Sequence, residues 1–464
     1  MIFCTKPSLL HKFTLTFFYF LIAFSLQGQD LSLPHLRHIG AANSINPALK
    51  IDSATWVIDV LNINNGLAYS GPAYNSIVQS DQDRLVVDVN SALQQLAPTG
   101  NDFNVSGKVE TFRVQYHTPK WSLQLHHANR YQANLEYPRA LAELAWLGNA
   151  SRIGQQVEIG PSFDFLSFSE LGVGGSIPLG KFRLGLSLNM IAANAIVETK
   201  RANASLYTSD DIYQLSLTTD YELNVADLNI ENDLFDVGVV ALDFSNISLL
   251  SPDIPSFDTS IKGAFNSLFN AANKGVGLDL GITYEHNDQW QFGWSVVDLG
   301  LINWNENTAS YTSKETTNFN GLNIGVVDFD DTESINFETL KDSVEQFIAF
   351  EKNATNFTTF LPIQSYLSAH YQLSSQLDFG ALLYGKFDST NTFGASLSAN
   401  YQLPFIRLGA VYSIVEDHPF NIGLNATLEL GFFRLYAMTN NVRTTFDPLA
   451  VTYQANRVGV GLIF

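Results

Sequence analysis

Arg113, His126, Arg183, Asn189, Asp279, Asn400, Arg407, Glu429 and Arg457 all stand where strand alternation would aim them at one shared interior. Such a mixture of guanidinium, imidazole, amide and carboxylate groups can do two kinds of chemistry. The groups can hydrogen-bond one another into a stiffening network, or they can line a path that handles the polar part of a ligand. Gln124 and Asn425 extend the set. No reaction centre emerges from it. His126 and His127 are neighbours in an extended stretch, so they point to opposite faces and cannot chelate one metal together. Gly172-Val173-Gly174-Gly175 leads into a strand, whereas a nucleotide loop leads into a helix. No Gly-x-Ser-x-Gly elbow and no His-Glu-x-x-His helix occurs. No catalytic, cofactor-binding or metal-ligating residue is assigned. No cofactor is expected, and the chain is read as a non-enzyme.

The elements that must position these side chains are strands. Phe182, Leu184, Leu186, Leu188 and Met190 fall on one face of a period of two, with Arg183, Gly185, Ser187 and Asn189 on the other. The same alternation runs through Phe112–Tyr116, Trp121–Leu125, Leu278–Tyr284, Phe393–Tyr401, Phe405–Ile414 and Ile422–Leu430. Tight connectors such as Thr118-Pro119-Lys120 and Gln402-Leu403-Pro404 separate the strands. The polar faces carry Gly, Ser, Asn, Thr and Gln with sparse charge, and many apolar faces end on an aromatic residue. A soluble sandwich would place many charges on its polar face. The pattern therefore predicts an all-β fold, a transmembrane antiparallel barrel of about fourteen strands (twelve to sixteen) with short loop helices.

Composition agrees. Charged residues make up 15% of the 464, against about a quarter in ordinary soluble domains. Phe (34) and Tyr (18) are abundant, as strands and interfacial girdles require. A net charge of −20 argues against nucleic acid or an anionic surface as the partner. Lys6, His11 and Lys12 precede the apolar stretch 13–26, and small or polar residues follow. Residues 1–28 thus read as a cleaved export signal. Cys4 is the only cysteine and lies within it, so disulfides, cysteine zinc sites and cysteine nucleophiles are excluded from the remainder. Residues 29–53 read as a polar lead-in able to plug a lumen, and 54–464 as the barrel.

Several details follow as expectations. The first strand covers 54–61 and turns back at Asn62–Gly66. Backward counting from Phe464 puts the long 245–273, 305–360 and 441–454 connections at the outer end, opposite the tight turns. Helical spacing marks 138–147, 261–272 and 340–350 as packed loop caps, with a lid, plug or partner-docking element as the alternative. Acidic clusters at Asp81 and Asp83, Asp210 and Asp211, and Asp328 to Glu333 read as solvated loops, because none has the spacing of a calcium loop.

A resemblance sharpens the picture. Asn46-Pro47-Ala48 after the export signal is its first part, and Lys274-Gly275-Val276-Gly277-Leu278-Asp279-Leu280-Gly281 its second. Ser295-Val296-Val297-Asp298-Leu299-Gly300 with Trp304, Leu361-Pro362, and the terminal Phe464 complete it. Together they resemble a family of Bacteroidota outer-membrane barrels with no assigned activity. Its organisation is similar to the long-chain fatty-acid transporter barrels and to accessory barrels of the type IX secretion system. The resemblance implies a fourteen-stranded barrel with an N-terminal segment entering the lumen, and it carries over no ligand residue. The functional expectation is transport or binding of an apolar or amphipathic small molecule at the bacterial outer membrane. The alternative is a scaffold for a secretion or cell-surface complex. Expected partners are outer-membrane lipid, the barrel-insertion machinery that reads a terminal aromatic residue, and, for a scaffold, a secretion or surface-complex protein.

Overall fold

A computed structural model describes residues 31–51, 54–81, 84–210, 214–228, 268–319, 350–388, 391–415, 418–447 and 450–464. Residues 1–28, read as an export signal, most of the 261–272 and 340–350 stretches and the third acidic cluster lie outside the described residues. The wall strands are β1 (Trp56–Tyr69), β2 (Asn101–His117), β3 (Ser122–Tyr137), β4 (Ser162–Leu179), β5 (Phe182–Thr208), β6 (Lys274–Glu285) and β7 (Trp290–Trp304). They continue as β8 (Ile363–Gln372), β9 (Leu377–Phe387), β10 (Thr392–Gln402), β11 (Ile406–Val415), β12 (His418–Leu430), β13 (Phe433–Thr439) and β14 (Tyr453–Ile463).

Each strand pairs antiparallel with its predecessor, and β14 pairs with β1 from Val57↔Ile463 to Ala68↔Tyr453. The sheet is therefore a closed barrel of 14 strands. At the seam the Phe464 carbonyl accepts from the Thr55 and Trp56 N–H groups at 2.7 and 3.1 Å, and the Phe464 N–H donates to Trp56 O at 2.9 Å. Closure leaves no open edge in the wall. One expectation is corrected here. Asn62–Gly66 is no turn, and β1 runs straight through it to Tyr69, paired on both sides with β2 and β14. Asn62 and Asn64 face the polar interior, and pairing on two sides outweighs the low strand propensity of the asparagines.

Polarity is inverted relative to a soluble sheet. Leu184, Leu186, Leu188 and Met190 are exposed, while Ser187 and Asn189 between them are buried. In β10, Phe393, Leu397 and Tyr401 are exposed and Ser396, Ser398 and Asn400 are buried. The apolar face turns outward. At the short-turn end the outward ring is aromatic: Trp56 and Trp121 flank Tyr116 with centroids at 4.6 and 5.5 Å. Phe182 packs on Tyr284, Trp290 on Tyr371, and Phe432 stacks on Phe464. This is the girdle of a membrane-type barrel. The same end carries the two-residue turns at Gly180-Lys181 and Gly431-Phe432. Each glycine holds φ near +63°, which a side chain would resist.

The opposite end carries the long connections. The helix Arg139–Leu147 lies there, where 138–147 has helical spacing. β5, 27 residues long, outruns the wall and pairs with Leu215–Ala226, which pairs with Thr308–Phe319. Val197, Tyr221, Leu223, Val225, Ala309 and Tyr311 form a separate apolar core in this ladder. Of the stripe in 261–272, Leu268 and Phe269 are described; Phe269 is exposed, and Leu268 is buried. It packs on Leu171, Ala192, Phe112 and Leu125 of the wall.

The inverted alternation makes a direct prediction. Leu188→Arg puts a guanidinium on the outward face about midway along the band, and is expected to cost about 2–4 kcal/mol. Ser187→Ala, one residue away on the inward face, should cost far less. Urea unfolding in lipid vesicles, followed by tryptophan fluorescence, separates the two; equal costs would refute the assignment of faces.

A candidate site in the lumen

The lumen is occupied by the chain's own residues 31–51. Two short 3-10 turns, Leu33–His35 and Gly40–Ser44, compact the segment, and nearly all of it is buried. It enters beside β1 at the short-turn end. Leu31, at its far end, packs on Leu382, Tyr384, Val415 and Tyr453, among residues close to the long connections. Leu33, Leu36, Ile39, Ala41 and Ile45 pack on Tyr436 and Met438.

Inward glycines make room for it. A Cβ on Gly185 would lie 2.3 Å from Pro47 and Ala48 backbone atoms, and one on Gly281 would lie 2.1 Å from Asn46 Oδ1. Asn46 folds back to accept from the Ala48 N–H at 2.9 Å, and its amide donates to Ile282 O at 3.3 Å. Asn46-Pro47-Ala48 is thus an Asx turn seated directly on the backbone of β5 and β6.

Around the circumference, uncharged groups hold most of the segment. His35 Nε2 and Ser396 Oγ share a hydrogen bond of 2.8 Å, and His38 Nε2 and Thr427 Oγ1 one of 2.9 Å. Gln115 donates to Gly40 O at 3.0 Å and Ser295 to Ile45 O at 2.5 Å. Arg434 donates to His38 O, and Ser32 to Asn440 Oδ1. No strand pairing joins the segment to the wall among the described residues. Between it and β7 to β9 remains a cavity of about 20 Å³, bordered by Pro34, Asn46, Gln291, Tyr366 and His370, room for about one water.

Next to the segment lies a belt of buried charge. Arg113 pairs with Glu110 (Nη2–Oε2 2.5 Å) and donates to Gln124 at 3.1 Å. In a regular strand residues 110 and 113 face opposite sides. The register shift between Glu110 and Phe112 puts both inside. Glu170 receives Lys108 at 2.8 Å and Arg130 at 3.2 Å, with His126 Nε2 4.0 Å away. Arg130 also bridges Asp298 at 2.5 and 2.8 Å, and Gln364 donates to Asp298 at 2.7 Å. Asp279 accepts from Asn189 at 2.8 Å and from the Asp298 N–H at 2.9 Å.

Of the nine candidate side chains, Arg113, His126, Asn189, Asp279, Asn400 and Arg457 are buried and Arg183, Arg407 and Glu429 partly so, and the nine do not form one cluster. Arg113, His126, Asn189 and Asp279 join the belt. Arg407 donates to Gln402, while Glu429 lies 3.9 Å from Arg434. Arg457 donates to Asn62 at 2.9 Å, Asn400 to Asp378 at 2.9 Å, and Arg183 to Ser176 at 3.3 Å. Alternation alone missed Lys108, Glu110, Arg130, Glu170 and Asp298. The first two precede the β2 bulge, and Asp298 sits in a left-handed conformation (φ 63°). No group of three metal-ligating side chains converges among the described residues.

Beyond the belt, towards the long connections, the interior turns apolar. Leu166, Phe168, Ile191, Ile302, Trp304 and Leu361 form one buried cluster. The Arg130 guanidinium, 5.0 Å from the Phe168 ring centroid, joins it to the belt through a cation–π contact.

The lumen segment buries two histidines, His35 and His38. Burial pushes the His35 imidazole down to about 4. Burial, then the nearby Arg407 and Arg434, hold His38 well below its ordinary value. His370 also faces His35, with ring centroids 6.0 Å apart. Because the seated value is depressed, neutral His35 contributes fully above about pH 6.5, and that contribution is lost as pH falls towards about 4. Proteolysis within 31–51 should accelerate between pH 7 and pH 4 in the detergent-solubilised barrel. His35→Gln with His38→Gln should blunt the acceleration. The same acid response in both proteins would rule the histidines out.

A search of curated protein sequences finds no match. Among solved structures, the chain is similar to the P. putida toluene transporter TodX at 11% identity and a TM-score of 0.37, over 91% of this chain and 92% of that one. The Ralstonia pickettii toluene transporter TbuX matches at 9% and 0.40, over 91% and 92%. The CymD monoaromatic hydrocarbon channel matches at 9% and 0.35, over 92% and 94%. The model of DUF5723, a family of unknown function, matches residues 47–440, from the Asx turn through β13, and the chain belongs to that family.

Proposed function

We propose that this chain is an outer-membrane channel for an apolar or amphipathic small molecule, closed in the conformation described by residues 31–51. The observation that carries the proposal is the way those residues fill the lumen. They are tied in by side-chain hydrogen bonds and packed on inward glycines. No backbone ladder holds them, so the segment can leave its seat without breaking the wall. The remaining lining is amphipathic in sequence along the axis. An apolar tier of Phe168, Ile191, Ile302 and Trp304 meets the charged belt of Arg130, Glu170 and Asp298. A molecule with an apolar body and a polar end finds a complement for each part there.

A second reading, a docking scaffold, is favoured by one feature. The ladder of β5, Leu215–Ala226 and Thr308–Phe319 extends past the wall with its own apolar core. A transport channel does not need such a platform.

Planar-bilayer recording distinguishes the readings. The intact chain should show little steady conductance, and deletion of residues 31–50 behind a retained export signal should open an ohmic pore. Vesicles carrying the deletion should also take up an amphipathic dye faster than vesicles carrying the intact chain. Unchanged conductance, together with a stoichiometric protein co-purifying from detergent-solubilised outer membrane, would transfer support to the scaffold.

A further inference from the structure

We infer that the outward face of β3 to β7 holds a specific site for an anionic glycerophospholipid, with one acyl chain in a groove of the wall and the headgroup phosphate at Lys120 and Lys181. The inference rests on the placement of the barrel in a membrane and is independent of what passes through the lumen.

The groove has a volume of about 750 Å³ and opens outward. Leu123, Ile177, Leu184, Leu186, Leu280 and Trp294 border it, all of them exposed. It is concave because Gly175 stands at an outward position between Leu123 and Leu186, where neighbouring strands carry branched side chains. A Cβ there would meet Ser122 O at 2.4 Å, so the glycine is held by sterics as well as by shape. An apolar trough this deep in an outward face is filled in a bilayer, and a flexible acyl chain fills it without cost to the wall.

Charge selects which lipid does so. The protein has a net charge of −20 and repels anions in general. At the short-turn end, however, lysine occurs in two neighbouring turns, Lys120 in 118–121 and Lys181 in 180–181. The other four short turns, 286–289, 373–376, 403–405 and 431–432, carry neither lysine nor arginine. Those two turns lead directly into β3 and β5, which border the groove. Lys181 Nζ donates to His286 O at 2.7 Å, leaving two of its protons for a phosphate. Glu285, whose N–H donates to Lys181 O at 2.8 Å, and Asp288 in the adjoining turn oppose an anion on the β6–β7 side, which favours a headgroup towards β3–β5. Trp121 lies at the level of the lysines and Trp294 at the far side of the groove, an arrangement suited to an interfacial headgroup with its chain pointing into the band.

Tryptophan quenching in vesicles tests the site on the full chain. Brominated phosphatidylglycerol and brominated phosphatidylethanolamine are compared in wild type, in Lys120→Gln/Lys181→Gln, and in Trp121→Phe/Trp294→Phe. The expected result is a preference of roughly tenfold for the glycerol lipid, abolished in the lysine variant. That preference should also vanish from the signal of the tryptophan variant. Unheated gel mobility matching wild type confirms that each variant is folded. Equal quenching by both lipids in wild type, or a preference that survives loss of both lysines, would overturn the inference. Absence of quenching by either lipid would instead refute the membrane placement on which it rests.

Discussion

Closure of the sheet through β1 and β14 is the constraint on which everything else depends. A wall facing hydrocarbon has no water to satisfy its backbone, so each N–H and C=O must find a partner within the sheet. Fourteen paired strands supply those partners, and the Phe464 carbonyl completes the ring by accepting from Thr55 and Trp56. Once the ring is closed, side chains have two destinations. Leucine, phenylalanine and tryptophan go outward, and serine, asparagine and arginine go inward. A ring of this size encloses more space than side chains alone fill. The space is taken up by residues 31–51, nearly all of which are buried.

The interior then solves a problem of buried charge. Isolated ions in such a setting are costly, and pairing with further hydrogen bonds is what makes them tolerable. Glu110 with Arg113, and Glu170 with Lys108 and Arg130, are paired in this way, and Asp298 adds Gln364. The lumen segment meets the wall chiefly through neutral partners instead: Ser396, Thr427, Gln115 and Ser295. Paired charge within the wall and largely neutral contacts to the segment thus divide the interior into two kinds of interaction.

Legibility in the sequence followed the range of each interaction. Alternation in Phe182–Met190 and Phe393–Tyr401 is local and was readable, as were the tight turns and the helix Arg139–Leu147. The extent of β1 was not legible because Asn62, Asn64 and Asn65 look like turn residues until their pairing with both β2 and β14 is known. The charged belt was half legible. Arg113 and His126 keep phase with their strands, but Glu110 and Lys108 lie across a bulge that resets the phase, and no local pattern announces where a bulge falls.

The sequence by itself determined the class of fold, the inside and outside of each regular strand, and the lack of any cysteine after Cys4. Those properties depend on residue type and a period of two, which neighbouring residues carry among themselves. Only the tertiary structure decided the strand number, the ion pairing across β2, β3, β4 and β7, and the seat of Asn46-Pro47-Ala48 on Gly185 and Gly281. Each of these joins residues far apart in the chain, and the geometry of closure selects which distant partners meet.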